Sequence, residues 1–474
     1  MRNALKAICV AVVLCLPTAI AAPAQTFTTL VNFSDTNGAI PVASLVQGTD
    51  GELYGTTANG GGNGYGEVFK VTPAGTLTPI YGFCSKAGCA DGASPYAGVV
   101  LGSDENFYGT TFAGGTGSSC TLGCGTVFKI TRSGVLTTLH SFNLTDGAYP
   151  SASLIQATDG NFYGTTWEGG SGSCGGGCGT IFKITPAGTF TLLHSFDFID
   201  GDGLTAALIQ GVDGNLYGTA GGGGFDRSSY CAFGCGTVFK ITEGGALTTL
   251  HEFEYTDGTN PAAPLIQASN GNFYGTTYEG GANGAGVIFK ITPLGVFSTL
   301  YTFDWSDGAG SAGALLQAAD GNLYGTTAGG GDNGVGTVFK IRSGGKLTTI
   351  HAFGNDDGDF ASAGFVQATT GLLYGTTSGD GVTSDGTVFS ESVGLSPFVT
   401  LLPTSRAIGQ RVAILGNNLT GTTSVTFNGT PATFTVVSST EISATVPSGA
   451  TTGPVQVVTP SGTLTSNVPF KVVP

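Results

Sequence analysis

The sequence predicts an all-β protein, a seven-bladed β-propeller followed by a small immunoglobulin-like β-sandwich. Three observations carry this: a Tyr-Gly pair recurring seven times, four short β-type runs in each repeat, and a composition of 82 glycines with only 10% charged residues. The Tyr-Gly pairs stand at Tyr54, Tyr108, Tyr163, Tyr217, Tyr274, Tyr324 and Tyr374. A period near 50 residues matches a propeller blade and is far longer than a β-helix coil.

In the third repeat the β-type runs are 152–156, 161–166, 179–185 and 189–196. Four strands make one blade. Asp159-Gly160-Asn161 and Pro186-Ala187-Gly188 supply the tight or left-handed turns of an antiparallel meander. Leu154-Ile155-Gln156 has the apolar character of an innermost strand. The glycine after each repeat tyrosine is expected to admit a neighbouring blade, because a strand glycine otherwise weakens its sheet. Residues 27–33 precede the first complete repeat, whereas the last repeat stops after Gly386-Thr387-Val388-Phe389. The orphan strand is therefore expected to pair with 386–390, closing the ring and burying Leu30 and Phe33.

At the start, Arg2 and Lys6 flank an apolar run from Ala7 to Leu16, followed by Ala19-Ile20-Ala21 and Ala22-Pro23-Ala24. That is the pattern of a secretory signal peptide over 1–24, with Cys15 as apolar filler. The run is shorter than the roughly 20 apolar residues that cross a bilayer. A formal charge of −15 disfavours nucleic acid and anionic lipid as partners. The expected protein is a secreted or periplasmic monomer, not inserted in a membrane, with association at the cell surface as the further option.

The propeller is assigned to 25–394 and the second unit to 396–474, which is rich in Thr, Val and Ser. Its pieces Pro403-Thr404-Ser405, Gly409, 414–419, 425–429 and Val446-Pro447 resemble the IPT/TIG family. That resemblance implies an immunoglobulin-like spacer or binding module with no catalytic residues. Through Asn-Leu/Phe-Tyr-Gly-Thr-Thr and Gly-Thr-Val/Ile-Phe-Lys-Ile-Thr, residues 27 to about 390 resemble the choice-of-anchor tandem repeat GloVer, found in exported bacterial proteins. Its members often end in an anchoring segment, whereas this sequence closes on Phe470-Lys471-Val472-Val473-Pro474.

Eight cysteines outside the leader form four local pairs: Cys84 with Cys89, Cys120 with Cys124, Cys174 with Cys178, and Cys231 with Cys235. Export favours disulfides. A zinc site would need four convergent ligands, which this spacing does not suggest. His140, His194, His251 and His351 share one repeat position with Val31, Tyr81 and Tyr301, which marks a packing slot.

An Asp-Gly recurs between repeats at Asp91, Asp146, Asp200, Asp257, Asp307 and Asp357, with Asp35 nearby. These residues suit turns, and a ring of such carboxylates, Asp146, Asp257 and Asp307 among them, is also a candidate for calcium or a polyhydroxylated ligand. After Tyr-Gly-Thr-Thr come Phe112, Trp167 and Tyr278, the last two followed by Glu168 and Glu279. Aromatic faces beside carboxylates suit sugar rings. No nucleophile elbow, phosphate loop or cofactor motif is evident, so no catalytic, cofactor or metal residue is assigned. The expected function is non-enzymatic binding or scaffolding, with a polysaccharide or cell-surface protein as partner. The alternative is a glycan-active hydrolase or lyase.

Overall fold

The computed structural model describes residues 25–225, 230–354 and 356–473, and the candidate leader lies outside the described residues. Apart from two 3-10 turns, Asp35–Asn37 and Ala87–Cys89, the regular structure among these residues is strand. Seven four-stranded antiparallel sheets occupy the repeats. Six are built from consecutive strands, as in Ile155–Gln156, Phe162–Thr166, Thr180–Ile184 and Phe190–Ser195.

The remaining sheet is assembled from both ends of the repeat region. Thr26–Asn32 runs antiparallel to Thr387–Ser392, pairing Phe27 with Glu391 and Asn32 with Thr387 across a register shift between Thr29 and Val31. Phe33 extends the ladder through its N–H to the Gly386 carbonyl at 3.0 Å and is fully buried. Leu30 packs at the edge of the same core.

The repeated motif acquires a separate job for each residue. In the third repeat, Tyr163 Oη donates to Asp159 at 2.9 Å. Gly164 makes room within its own sheet: a Cβ there would lie 2.6 Å from the Phe182 ring of the paired strand. This corrects the expectation that the glycine admits an adjacent repeat. Thr165 Oγ1 reaches into the next repeat, donating to the Ala206 carbonyl at 3.3 Å. Thr166 Oγ1 lies 2.8 Å from Thr180 Oγ1 in the neighbouring strand.

Two contacts travel around all seven repeats. Phenylalanine pairs at the sheet interfaces run from Phe83–Phe128 through Phe353–Phe389 and return to the start at Phe33–Phe69, with ring centroids 5.1 to 5.4 Å apart. Such pairs add about 0.5–1.5 kcal/mol each beyond area burial. The threonine bond likewise returns to its origin, with Thr376 Oγ1 donating to the Ala43 carbonyl at 3.2 Å.

The innermost strands are shorter than the sequence pattern predicts, two residues in each repeat. The residues just before them line a cavity of about 420 Å³ to which every repeat contributes. Serving as cavity wall, they have no ladder partner.

Beyond the repeats, residues 400–473 form two four-stranded sheets that share one apolar core including Val412, Ile414, Val425, Phe427 and Val457. Ser405–Ala407 pairs in parallel with Lys471–Val473. Thr440 Oγ1 of this part donates to the Thr49 carbonyl of the repeats at 2.9 Å, and Phe398, just before it, donates its N–H to the Thr369 carbonyl at 3.1 Å.

Candidate functional site on the repeat rim

Each repeat raises two side-chain positions on one rim. The first, two residues after the glycine that closes each inter-repeat loop, is occupied by Ile40, Ser94, Tyr149, Gly203, Asn260, Gly310 and Phe360. All seven have left-handed backbone, with φ between 50° and 66°. Bulky residues rarely accept this region, and such strain concentrates at ligand sites. The second position follows the Tyr-Gly-Thr-Thr strand. Its N–H donates to the carbonyl of the first position in the same repeat, as in Trp167 to Tyr149 at 3.3 Å and Tyr278 to Asn260 at 3.0 Å.

The three aromatic side chains at the second position lean on the first position of the next repeat. Phe112 stacks on Tyr149 with centroids 4.9 Å apart, meets Tyr96 edge-on at 5.2 Å, and lies 6.1 Å from Trp167. Trp167 lies over Gly203, where a Cβ would be 3.5 Å from its Nε1. Tyr278 lies over Gly310 in the same manner, a Cβ there falling 3.0 Å from the ring. Two of the three rings at the second position thus face the two glycines of the left-handed series. Tyr96 and Tyr278 also line the axial cavity, whose described lining carries no charged side chain.

Glu168 and Glu279 follow these rings in matching backbone settings. The carbonyl of Glu168 accepts from Ala148 N–H and Thr166 Oγ1, both at 2.8 Å; that of Glu279 accepts from Thr259 N–H and Thr277 Oγ1, both at 2.9 Å. Beside Glu168, the next repeat carries Asp202 where the repeat after Glu279 carries Ala309. Burial, and then the Asp202 charge, pushes the Glu168 carboxyl above the usual range. Burial also raises Asp202, partly opposed by the Gly203 N–H. A carboxylate oxygen of Asp202 lies within 4.8 Å of the Cys174 and Cys178 sulfurs.

The four cysteine pairs are joined as disulfides, with Cα separations of 4.0 Å for Cys84–Cys89, 5.2 Å for Cys120–Cys124 and Cys174–Cys178, and 5.0 Å for Cys231–Cys235. Three of them staple the loop between the second and third strands. Where that loop lacks cysteine, a side chain clamps it to the phenylalanine carbonyl of the outer strand: Asn63 to Phe83, Asn283 to Phe303, Asn333 to Phe353, and Thr383 to Phe33.

The inter-repeat aspartates bond to the outer strands and to their own loops. Asp146, Asp257 and Asp307 accept from His140, His251 and Tyr301 of the outer strands, and each also caps a loop N–H three residues back. His194–Asp200, His351–Asp357 and Tyr81–Asp91 repeat the arrangement. The histidine slot is thus a hydrogen-bonding position as well as a packing one. Each of these carboxylates is occupied by turn bonds.

The roles of Asp202, Tyr96, Tyr149, Gly203 and Gly310 escaped the sequence reading, in which 197–203 stood out only as an aspartate-rich segment without the spacing of an EF-hand. Aligning the repeats on Asp-Gly exposes the signal, because glycine replaces the side chain wherever the preceding repeat supplies Trp167 or Tyr278.

Four-stranded sheets repeated in tandem around one cavity, with a variable rim, define a repeat-built all-β protein. The Gloeobacter/Verrucomicrobia repeat model matches residues 88–230 and 227–436, and the chain belongs to that family. No curated protein matches it in sequence. Among solved structures it is similar to a gluconolactonase from Xanthomonas campestris (TM-score 0.35, 14% identity, 56% of this chain and 78% of that one). It is also similar to a fungal alcohol oxidase in complex with copper (TM-score 0.47, 14% identity, 95% and 99% covered) and to a luciferin-regenerating enzyme (TM-score 0.39, 13% identity, 62% and 89% covered).

Proposed function

We propose that the chain is an exported seven-bladed β-propeller over 25–394 with an IPT/TIG-type immunoglobulin-like domain over 396–474, and that its rim binds polysaccharide without chemical turnover. The observation that carries the binding reading is the pair of aromatic-glutamate stations, Trp167-Glu168 over Gly203 and Tyr278-Glu279 over Gly310. A flat ring offers its face to the C–H face of a sugar, while the adjacent carboxylate accepts sugar hydroxyls. Four disulfides support an oxidising, exported setting. Among the described residues no helix is long and apolar enough to cross a membrane.

One observation favours a glycan-active enzyme as the second reading. Glu168 and Asp202 are carboxyl groups from successive repeats whose proton affinities are both raised, a property that general acids require. A glycan array run beside a reducing-end release assay separates the two readings. Binding without release supports the first, and release that disappears in Glu168→Gln and Asp202→Asn supports the second. The absence of both binding and release rejects the two together.

A further inference from the structure

We infer that the rim takes a neutral polysaccharide as an extended strand, holding it at two subsites two repeats apart. This rests on the glycan-binding reading above and adds the class of ligand and its mode of attachment.

The stations are duplicates in construction. At both, an aromatic ring is tied by its own N–H to a left-handed residue of the same repeat and laid over a glycine of the next. At both, a glutamate follows with its backbone fixed by the same two donors, an N–H and a threonine hydroxyl. One recognition element used twice suits a ligand that repeats itself.

The repeat between them carries Gly221 and Gly222 in the places of the ring and the carboxylate. Trp167-Glu168, Gly221-Gly222 and Tyr278-Glu279 thus follow one another along the rim, with the side chains of Asn260 and Asp202 against the middle pair. A strand stacked on both rings crosses this glycine pair, where the two rim positions raise no side chain of their own and Asn260 and Asp202 offer polar groups beside it. Glu168 and Glu279, on a chain of formal charge −15, repel anionic polymers, which favours an uncharged ligand over an anionic one.

The two sites act together only on a strand long enough to reach both, and such linkage raises affinity by about 10²–10⁴-fold without any new contact. The test uses the full mature chain. Soluble glucans, mannans and xylans are titrated as polymers and as oligosaccharides of increasing length, with polygalacturonate as the anionic comparator. The expected result is a steep gain in affinity at one threshold length, at least about tenfold, with polygalacturonate the weakest polymer. Trp167→Ala and Tyr278→Ala should each abolish that step while leaving short-oligosaccharide binding in place, because one station survives in each variant. The double variant should bind neither. Equal melting temperatures would show all three variants folded, and Trp167→Phe and Tyr278→Phe should restore part of the step.

Glycan binding without a length threshold, or one variant removing all binding while the other changes nothing, overturns the two-subsite inference and leaves glycan binding standing. No affinity for any of the glycans overturns the binding reading itself.

Discussion

Phe27 lies face to face on His351, with ring centroids 3.9 Å apart and planes 5° apart, joining the first described strand to the outer strand of the sixth repeat. His140 on Phe190 and His251 on Phe297 make the same contact between consecutive repeats. Phe27 therefore fills, from the opposite end of the repeat region, the place of an outer-strand aromatic.

Phe27→Ala should lower stability by about 1–3 kcal/mol, since the ring is half-buried and also meets Phe389 and Phe353. Removing residues 25–35 should have a larger effect, abolishing the Phe33–Phe69 contact and the ladder to Thr387–Ser392 together. Urea unfolding followed by intrinsic fluorescence measures both. A truncated chain melting as hot and as cooperatively as the intact one would refute the closure.

Asp257→Ala should cost about 1–3 kcal/mol of stability, because it strips His251 Nε2 and the Glu254 N–H of their acceptor. Glycan affinity should not change. If the inter-repeat aspartates held the ligand, or calcium beside it, affinity would fall and calcium would shift the melting temperature of the unmodified chain.

Two acids are buried without charge partners. Glu67 replaces the threonine found at that place in most repeats, and Glu391 occupies an aliphatic slot. Burial pushes each carboxyl up to about 7. Raised in the folded state above the unfolded value, each contributes stability that is complete below about pH 4.5 and is lost as pH rises through about 7, about 3 kcal/mol apiece. Glu67→Gln and Glu391→Gln should therefore be more stable than the unmodified chain at pH 8 and nearly equal to it at pH 4. Denaturant midpoints across that range test the sign.

Reduction should loosen the rim unevenly. The loops of repeats two to four lose about 2 kcal/mol per opened ring, whereas those held by Asn63, Asn283 and Asn333 keep their clamps. Amide hydrogen exchange with and without reductant should show faster exchange near Cys120, Cys174 and Cys231 and none of that change near Asn283. Asn283→Ala should reverse the pattern at its own loop.

The repeat period, the meander and the pairing of 26–32 with 387–392 were legible because strand register repeats locally and an orphan strand must find an edge. Phe112, Trp167 and Tyr278 stood out by their place after Tyr-Gly-Thr-Thr. Their partners did not, because Gly203 and Gly310 act by having no side chain, and Asp202 meets Glu168 only across a repeat boundary. The histidines and aspartates were each visible, but six residues apart on a bulged outer strand and its loop they gave no sign of facing one another. The glycine after each tyrosine was misjudged for a related reason: its close neighbour is the phenylalanine opposite in the ladder, and the register is needed to see it.

The left-handed backbone at Ile40, Ser94, Tyr149, Gly203, Asn260, Gly310 and Phe360 has an evolutionary consequence. Loop shape at these tips is dictated by the sheets beneath, so a residue there can change from glycine to phenylalanine while the chain path stays fixed. Specificity can then drift by single substitutions, one repeat at a time, much as a keyboard changes its tune without being rebuilt. The same freedom makes these seven positions a natural library site for selecting new binders on an unchanged scaffold.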